Sequence, residues 1–108
     1  MLLVDADRER RLALIDALRA RGLLVSGVGG IAQITTWPRD VVVTAQSHSP
    51  LLWKYLGAAF VIVVVDSPER GRAACAEGAD AWLPYWCEAD DLVRVIVELH
   101  SAPPSADA

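Results

Sequence analysis

The chain has no apolar run long enough to cross a bilayer. Its longest, Ala58 to Val65, is eight residues, against the roughly 20 that a membrane helix needs. It has no excess of positive charge either: the formal charge is −4 and the pI near 5.0. That balance argues against a nucleic-acid-binding surface, which requires clustered cations. Cysteine is scarce. Cys75 and Cys87 are the two present, they lack metal-ligand spacing, and they are expected to be reduced thiols in a cytoplasmic protein. Met1 leads directly into Leu2-Leu3-Val4-Asp5, with no basic n-region or cleavage site, so no secretory signal is expected. Repeats and heptad arrays are absent. What remains, 54% hydrophobic and 22% charged residues in a chain of 108, is the composition of one compact domain and excludes a disordered one.

The apolar residues are grouped in short segments bounded by turn and helix signals. Strands are predicted at Leu2–Val4, Leu23–Val28, Val41–Thr44 and Phe60–Val65, with a weaker fifth at Ala81–Leu83. The fourth is apolar on both faces, as in a central parallel strand covered by helices on either side. Helical stretches alternate with these strands. Asp7 and Gly22 bracket a first helix over Arg8–Arg21. A short helix over Ile31–Trp37 is closed by Pro38, and another, Pro50–Leu56, ends at Gly57. Ser67-Pro68-Glu69 reads as N-cap, N1 proline and first-turn acid of a helix stopped by Gly78. A last helix runs from Ala89 to about His100, and the remainder, 101–108, has linker composition. The alternation predicts a doubly wound α/β sandwich with a five-stranded parallel sheet in order 2-1-3-4-5.

In the last helix Leu92, Val95, Ile96 and Leu99 form the core stripe at i, i+3, i+4 and i+7. Val93 and Val97 widen the apolar arc to roughly 200°, beyond what a surface helix ordinarily buries against its own sheet. The excess is expected to meet a partner, and a weak homodimer through this helix is the simplest one.

The element order, with acids just after strand one, resembles the receiver domain of two-component response regulators, the CheY-like form of the flavodoxin-type fold. The resemblance covers Leu2 to about His100. Its most specific stretches are Leu2-Leu3-Val4-Asp5-Ala6-Asp7 followed by an arginine-rich helix, the segment Glu69–Leu83 running through Gly78-Ala79-Asp80, and the acidic start Glu88-Ala89-Asp90-Asp91-Leu92. The middle is short, with little room for a full third helix. Receivers hold Mg²⁺ between acids after strand one and accept a phosphoryl group on an aspartate ending strand three. The ion needs hard oxygen ligands and neutralises the transferred group.

This chain departs from that pattern at most of the positions involved. Asp5 matches the first acid, but the second falls on Ala6, and Asp7 is one position late. The acceptor position falls on Thr44 or Ala45, neither a carboxylate. Val65 stands where receivers carry a hydroxyl, although Asp66 follows it, and Tyr85-Trp86 stands where they carry lysine and proline. Asp40 lies at the opposite end of strand three. No phosphorylation chemistry is carried over, and neither a cofactor nor a metal is expected.

Other patterns are weaker. Gly27-Val28-Gly29-Gly30-Ile31-Ala32 fits the loose form G-x-G-x-x-A, but it follows the second strand and lacks the acid that dinucleotide sites place about 20 residues on; a βα loop is the expected reading. Asp5-x-Asp7 also resembles phosphatases with an aspartate nucleophile after strand one, whose remaining machinery 108 residues hardly accommodate. His48 and His100 are isolated. Cys75 is expected to be a packed helix residue, and Cys87 a loop thiol with nothing beside it to lower its pKa. Trp82, Tyr85 and Trp86 cluster around the end of strand five, on the face that receivers use for signalling; aromatic rings are enriched at binding hot spots. They either cover the sheet edge or form an interaction surface with Val93 and Val97. Charge is uneven too: residues 1–39 carry six arginines against four acids, and residues 66–108 three against nine.

The expected function is a phosphorylation-independent regulatory module, without enzymatic activity. It would be the N-terminal signalling or dimerisation domain of a bacterial transcriptional regulator, with itself or a C-terminal output domain as partner. The alternative is a small-molecule sensor, with an organic ligand held near Asp5, Asp7 and Thr44 and against the Trp82/Tyr85/Trp86 aromatics.

Overall fold

The computed structural model describes residues 1–35, 40–45 and 49–101. Five parallel strands form one sheet: β1 (Leu2–Val4), β2 (Ser26–Val28), β3 (Val41–Thr44), β4 (Phe60–Val65) and β5 (Ala81–Pro84), in the order β2-β1-β3-β4-β5. The doubly wound α/β architecture expected from the alternation is therefore present. Among the described residues, the helices α1 (Arg8–Ala20), α2 (Pro50–Tyr55) and α3 (Pro68–Ala76) lie between strands, and α4 (Ala89–Ser101) follows β5.

The strand residues divide by parity, as a two-residue side-chain period requires. Leu3, Val41, Val43, Ile62 and Val64 face one layer, where they meet Ile15 and Leu18 of α1 and Leu92 of α4. Leu2, Val4, Val42, Val61 and Val63 face the other, with Trp53 of α2 and Ala79. Because both faces of the central strands are covered, β1 and β3 are buried throughout, whereas the edge strands β2 and β5 are not.

Two elements are shorter than their sequence suggests. β2 begins at Ser26 rather than Leu23, because its pairing partner β1 begins at Leu2, which lies opposite Ser26. Leu24, outside the paired register, accepts a hydrogen bond from the Met1 ammonium at its carbonyl (3.0 Å) but is 90% exposed. Of the helix expected over Ile31–Trp37, the described residues show a single 3₁₀ turn, Ile31–Gln33; its last two residues, 36–37, lie outside the described residues, as do 38–39, 46–48 with His48, and 102–108 of the linker segment. On that thinly covered layer the fully buried Trp53 indole supplies the bulk, and its Nε1 has no hydrogen-bond partner among the described residues.

The caps follow the sequence signals closely. Asp7 accepts a hydrogen bond from the Arg10 N–H (3.0 Å) and Ser67 one from the Arg70 N–H (3.2 Å). Gly22 takes the left-handed conformation (φ 85°) that ends α1, a conformation that costs residues with a Cβ. No described helix is long and apolar enough to cross a membrane.

Candidate functional site

The carboxyl ends of β1, β3 and β4 meet at Asp5, Ala45 and Val65. Asp5 donates its N–H to the Val28 carbonyl and Ala45 donates to that of Val4. The receiver resemblance assigns Asp5 to a metal ion, Thr44 or Ala45 to the phosphoryl acceptor and Val65 to a hydroxyl residue. Asp5 is buried, 4% exposed. A buried carboxylate requires a partner, and here the partner is Arg10, in the first turn of α1. Its Nε donates to Oδ2 (2.5 Å) and its Nη2 to Oδ1 (2.7 Å), a two-pronged clamp. The Asp7 N–H adds a third bond to Oδ1 (2.9 Å), and Arg11 Nη1 holds the Asp5 carbonyl (2.6 Å). The hydrogen bond to Asp5 outweighs desolvation and holds the Arg10 pKa above its ordinary value.

On its other side the guanidinium lies over the Tyr85 ring, 4.5 Å from the centroid, within the range of a cation–π contact. Tyr85, which the resemblance pairs with the lysine of receivers, thus completes a stack of carboxylate, guanidinium and arene.

This arrangement does not fit a divalent ion. Both Asp5 oxygens are engaged by a cation of the chain itself, Asp7 is occupied as a helix cap, and Ala6 and Ala45 bring no oxygen ligand in their side chains. Thr44 is fully buried. Among the described residues no group of three or more histidine, cysteine, aspartate or glutamate side chains is placed to hold a metal. Val65 packs on the α2/α3 layer, while Asp66 is exposed and pairs with Arg70 (3.5 Å).

The three clustered aromatics do not form one surface. Trp82 points to the α3 layer, where its ring lies against Gly71; a Cβ on Gly71 would come within 2.1 Å of the indole. Tyr85, on the opposite layer, packs against the α1/α4 core. Trp86 alone is exposed, at 71%. The reason is strand geometry: residues of odd and even number at the end of β5 leave the sheet on opposite sides. Val93 also differs from expectation, since it packs against the α1/α4 core, leaving Val97, 56% exposed, as the valine that extends outward.

Cys75 is exposed rather than packed, because the α3 face that meets the sheet is the one carrying Gly71 and Ala74. Burial pushes both thiols above their ordinary range, with Asp80 adding to this at Cys75 and Asp91 at Cys87. His100 caps its own helix through Nδ1 and the Ile96 carbonyl (2.9 Å) and meets Phe60 edge-on. Gly27 is a packing glycine: a Cβ there would come within 2.3 Å of Ile15, so the glycine-rich stretch lets α1 approach β2.

A cleft of about 370 Å³ opens beside the Asp5–Arg10 clamp. Its walls are Ala13, Leu14 and Ala17 of α1 on one side and Tyr85, Cys87 and Ala89 on the other, with Leu3, Ala45 and Val64 beneath. Sequence reasoning missed Arg10 and the alanine wall of α1. The signal was available: Arg10 follows Asp5 at the spacing that brings a first-turn side chain back over the strand end, and Ala13 and Ala17 share one helix face. No protein-family model, curated protein or solved structure matches this chain.

Proposed function

We propose that this chain is a receiver-like regulatory module that works without phosphorylation, the N-terminal signalling or dimerisation domain of a bacterial transcriptional regulator. It acts in the cytoplasm by contact with a second copy or with an output domain, and it catalyses no reaction. The observation that carries this reading is the Arg10 clamp on Asp5. A receiver that cycles between phosphorylated and free states needs that carboxylate for Mg²⁺. Here a guanidinium supplies the positive charge permanently, at the sheet end where the resemblance places the switch. The result is a domain held in one state, whose signal resides in what binds it.

Incubation of the protein with acetyl phosphate or beryllofluoride and Mg²⁺ tests the reading. Intact mass and tryptophan fluorescence should not change, although Trp82 and Trp86 flank the site closely enough in sequence to report a rearrangement. A stoichiometric phosphoryl adduct on any residue, or a saturable Mg²⁺-dependent fluorescence change, would overturn it.

A further inference from the structure

We infer that the cleft between α1 and the Tyr85–Ala89 segment is a binding site for a small, planar, uncharged aromatic molecule carrying one hydrogen-bond acceptor. The inference is independent of the phosphorylation reading, and it moves the ligand from the vacated acid cluster to the α1 side of the sheet. Thr44 is fully buried, Asp7 caps a helix, and Trp82 lies on the opposite layer, so of the residues first expected to hold a ligand only Asp5 and Tyr85 line this cleft.

Size and shape come from the walls. At about 370 Å³ the cleft lies near the small end of the usual range for ligand sites, enough for roughly 10 to 15 non-hydrogen atoms. Its room is made by side chains truncated at Cβ: Ala13 and Ala17 on α1, Ala89 on α4 and Ala45 beneath. The α1 wall faces the Tyr85 side across a slot, and a slot between two walls admits a flat body more readily than a round one. The lining is mostly apolar, so burial of such a body is favourable.

Charge state comes from the ion pairs at the rim. Arg10 is neutralised by Asp5, and Arg21 by Asp90 at 2.6 Å. The remaining charged lining residue, Glu88, is exposed at the rim beside Arg21, so its charge stays in water and the interior of the cleft exerts no strong demand for an ion of either sign. Arg10 nevertheless retains donors. Of its five N–H groups, the Asp5 clamp uses one on Nε and one on Nη2, and Nη1 stands 4.0 Å from Asp7. A neutral acceptor on the ligand can therefore meet Arg10 without breaking the clamp, and this single polar contact orients it.

Quinoline is a suitable probe, being flat, uncharged at pH 7.5 and furnished with one ring-nitrogen acceptor. Titrated into the alanine-methyl-labelled chain, it should shift the methyl resonances of Ala13, Ala17, Ala45 and Ala89 together, saturating with a Kd of about 1 mM or tighter, as befits a ligand of this size. Ala13→Trp, at an exposed helix position, should weaken binding at least about tenfold by filling the slot. Ala76→Trp, exposed on α3, should leave it unchanged. Should Ala13→Trp fail to fold, Ala17→Leu narrows the same wall and should weaken binding likewise. N-methylquinolinium has the same outline but a charge and no acceptor, and should bind more weakly than quinoline. The inference is overturned if quinoline gives no saturable shift at these four methyls, if the wall-filling variant binds as well as the native chain, or if N-methylquinolinium binds equally well.

Discussion

Arg10 shows how much one side chain can determine. A buried carboxylate without a partner is costly, and removal of one member of a buried pair typically destabilises by about 3–5 kcal/mol. Arg10 keeps 35% of its side chain exposed, so water relieves part of that cost when it is deleted. Arg10→Ala is therefore expected to lower the unfolding free energy by about 3 kcal/mol, the low end of that range. Arg10→Lys should cost less, because it restores a charge but not the two-pronged geometry. Urea denaturation of the three proteins gives the ranking; equal stability of Arg10→Ala and the native chain would mean that Asp5 finds another partner. Gly71 makes the complementary point on the other layer. Its value lies in the missing Cβ, which lets the Trp82 ring lie against α3.

Among the elements, α1 and α4 share one layer, and their join is mostly electrostatic at the rim. Arg21 at the end of α1 holds Asp90 at the start of α4. The hydrogen bond from Arg21, reinforced by its charge, holds the Asp90 carboxyl below the ordinary carboxylate range. A carboxylate with a lowered folded-state pKa contributes stability that is fully present above its unfolded pKa and lost as pH falls through the folded one. Acidification from neutral pH should therefore release the α1–α4 tie below the usual carboxylate range. Asp90→Asn should flatten this part of the acid limb in thermal unfolding curves recorded between pH 7 and pH 2, while changing little at low pH. Some acid dependence will persist through Asp40: partial burial pushes its pKa up, but hydrogen bonds from the Met1 ammonium and the Val41 N–H outweigh it and hold it low. A slope unaltered by Asp90→Asn would show that the tie contributes nothing. Because the pair is exposed, added salt should weaken it.

At the scale of the whole molecule, the outward apolar surface is smaller than the helix pattern implies, since Val93 is partly buried against the core. Self-association through α4 would then depend on Val97, whose burial in a symmetric pair occurs twice. A half-exposed valine contributes about 1 kcal/mol when covered, so Val97→Asp should weaken a dimer by at least about tenfold. Sedimentation at concentrations up to the millimolar range measures this, and the substitution is preferable to Val93→Asp, which would place a charge against the core. A native chain that remains monomeric throughout would exclude α4 as a dimer interface.

The strand order, the parity of the two layers and the ends of α1 and α3 could be read directly from the chain. A two-residue alternation must place Leu3 and Val43 opposite Leu2 and Val42, and Asp7, Ser67, Gly22 and Gly78 act on the backbone within a few residues of themselves. The absence of carboxylates at Ala6 and Thr44 was visible as well, whatever surrounds them. Only the tertiary structure decided what Asp5 pairs with at that sheet end. The Arg10 clamp depends on α1 returning over the end of β1. The separation of Trp82 from Tyr85 depends on which layer each meets, and the alanine-walled cleft depends on how α1 stands beside the Tyr85–Ala89 segment. Local pattern reports the conformation a residue prefers; contacts between distant segments depend on packing, and packing is a property of the assembled layers.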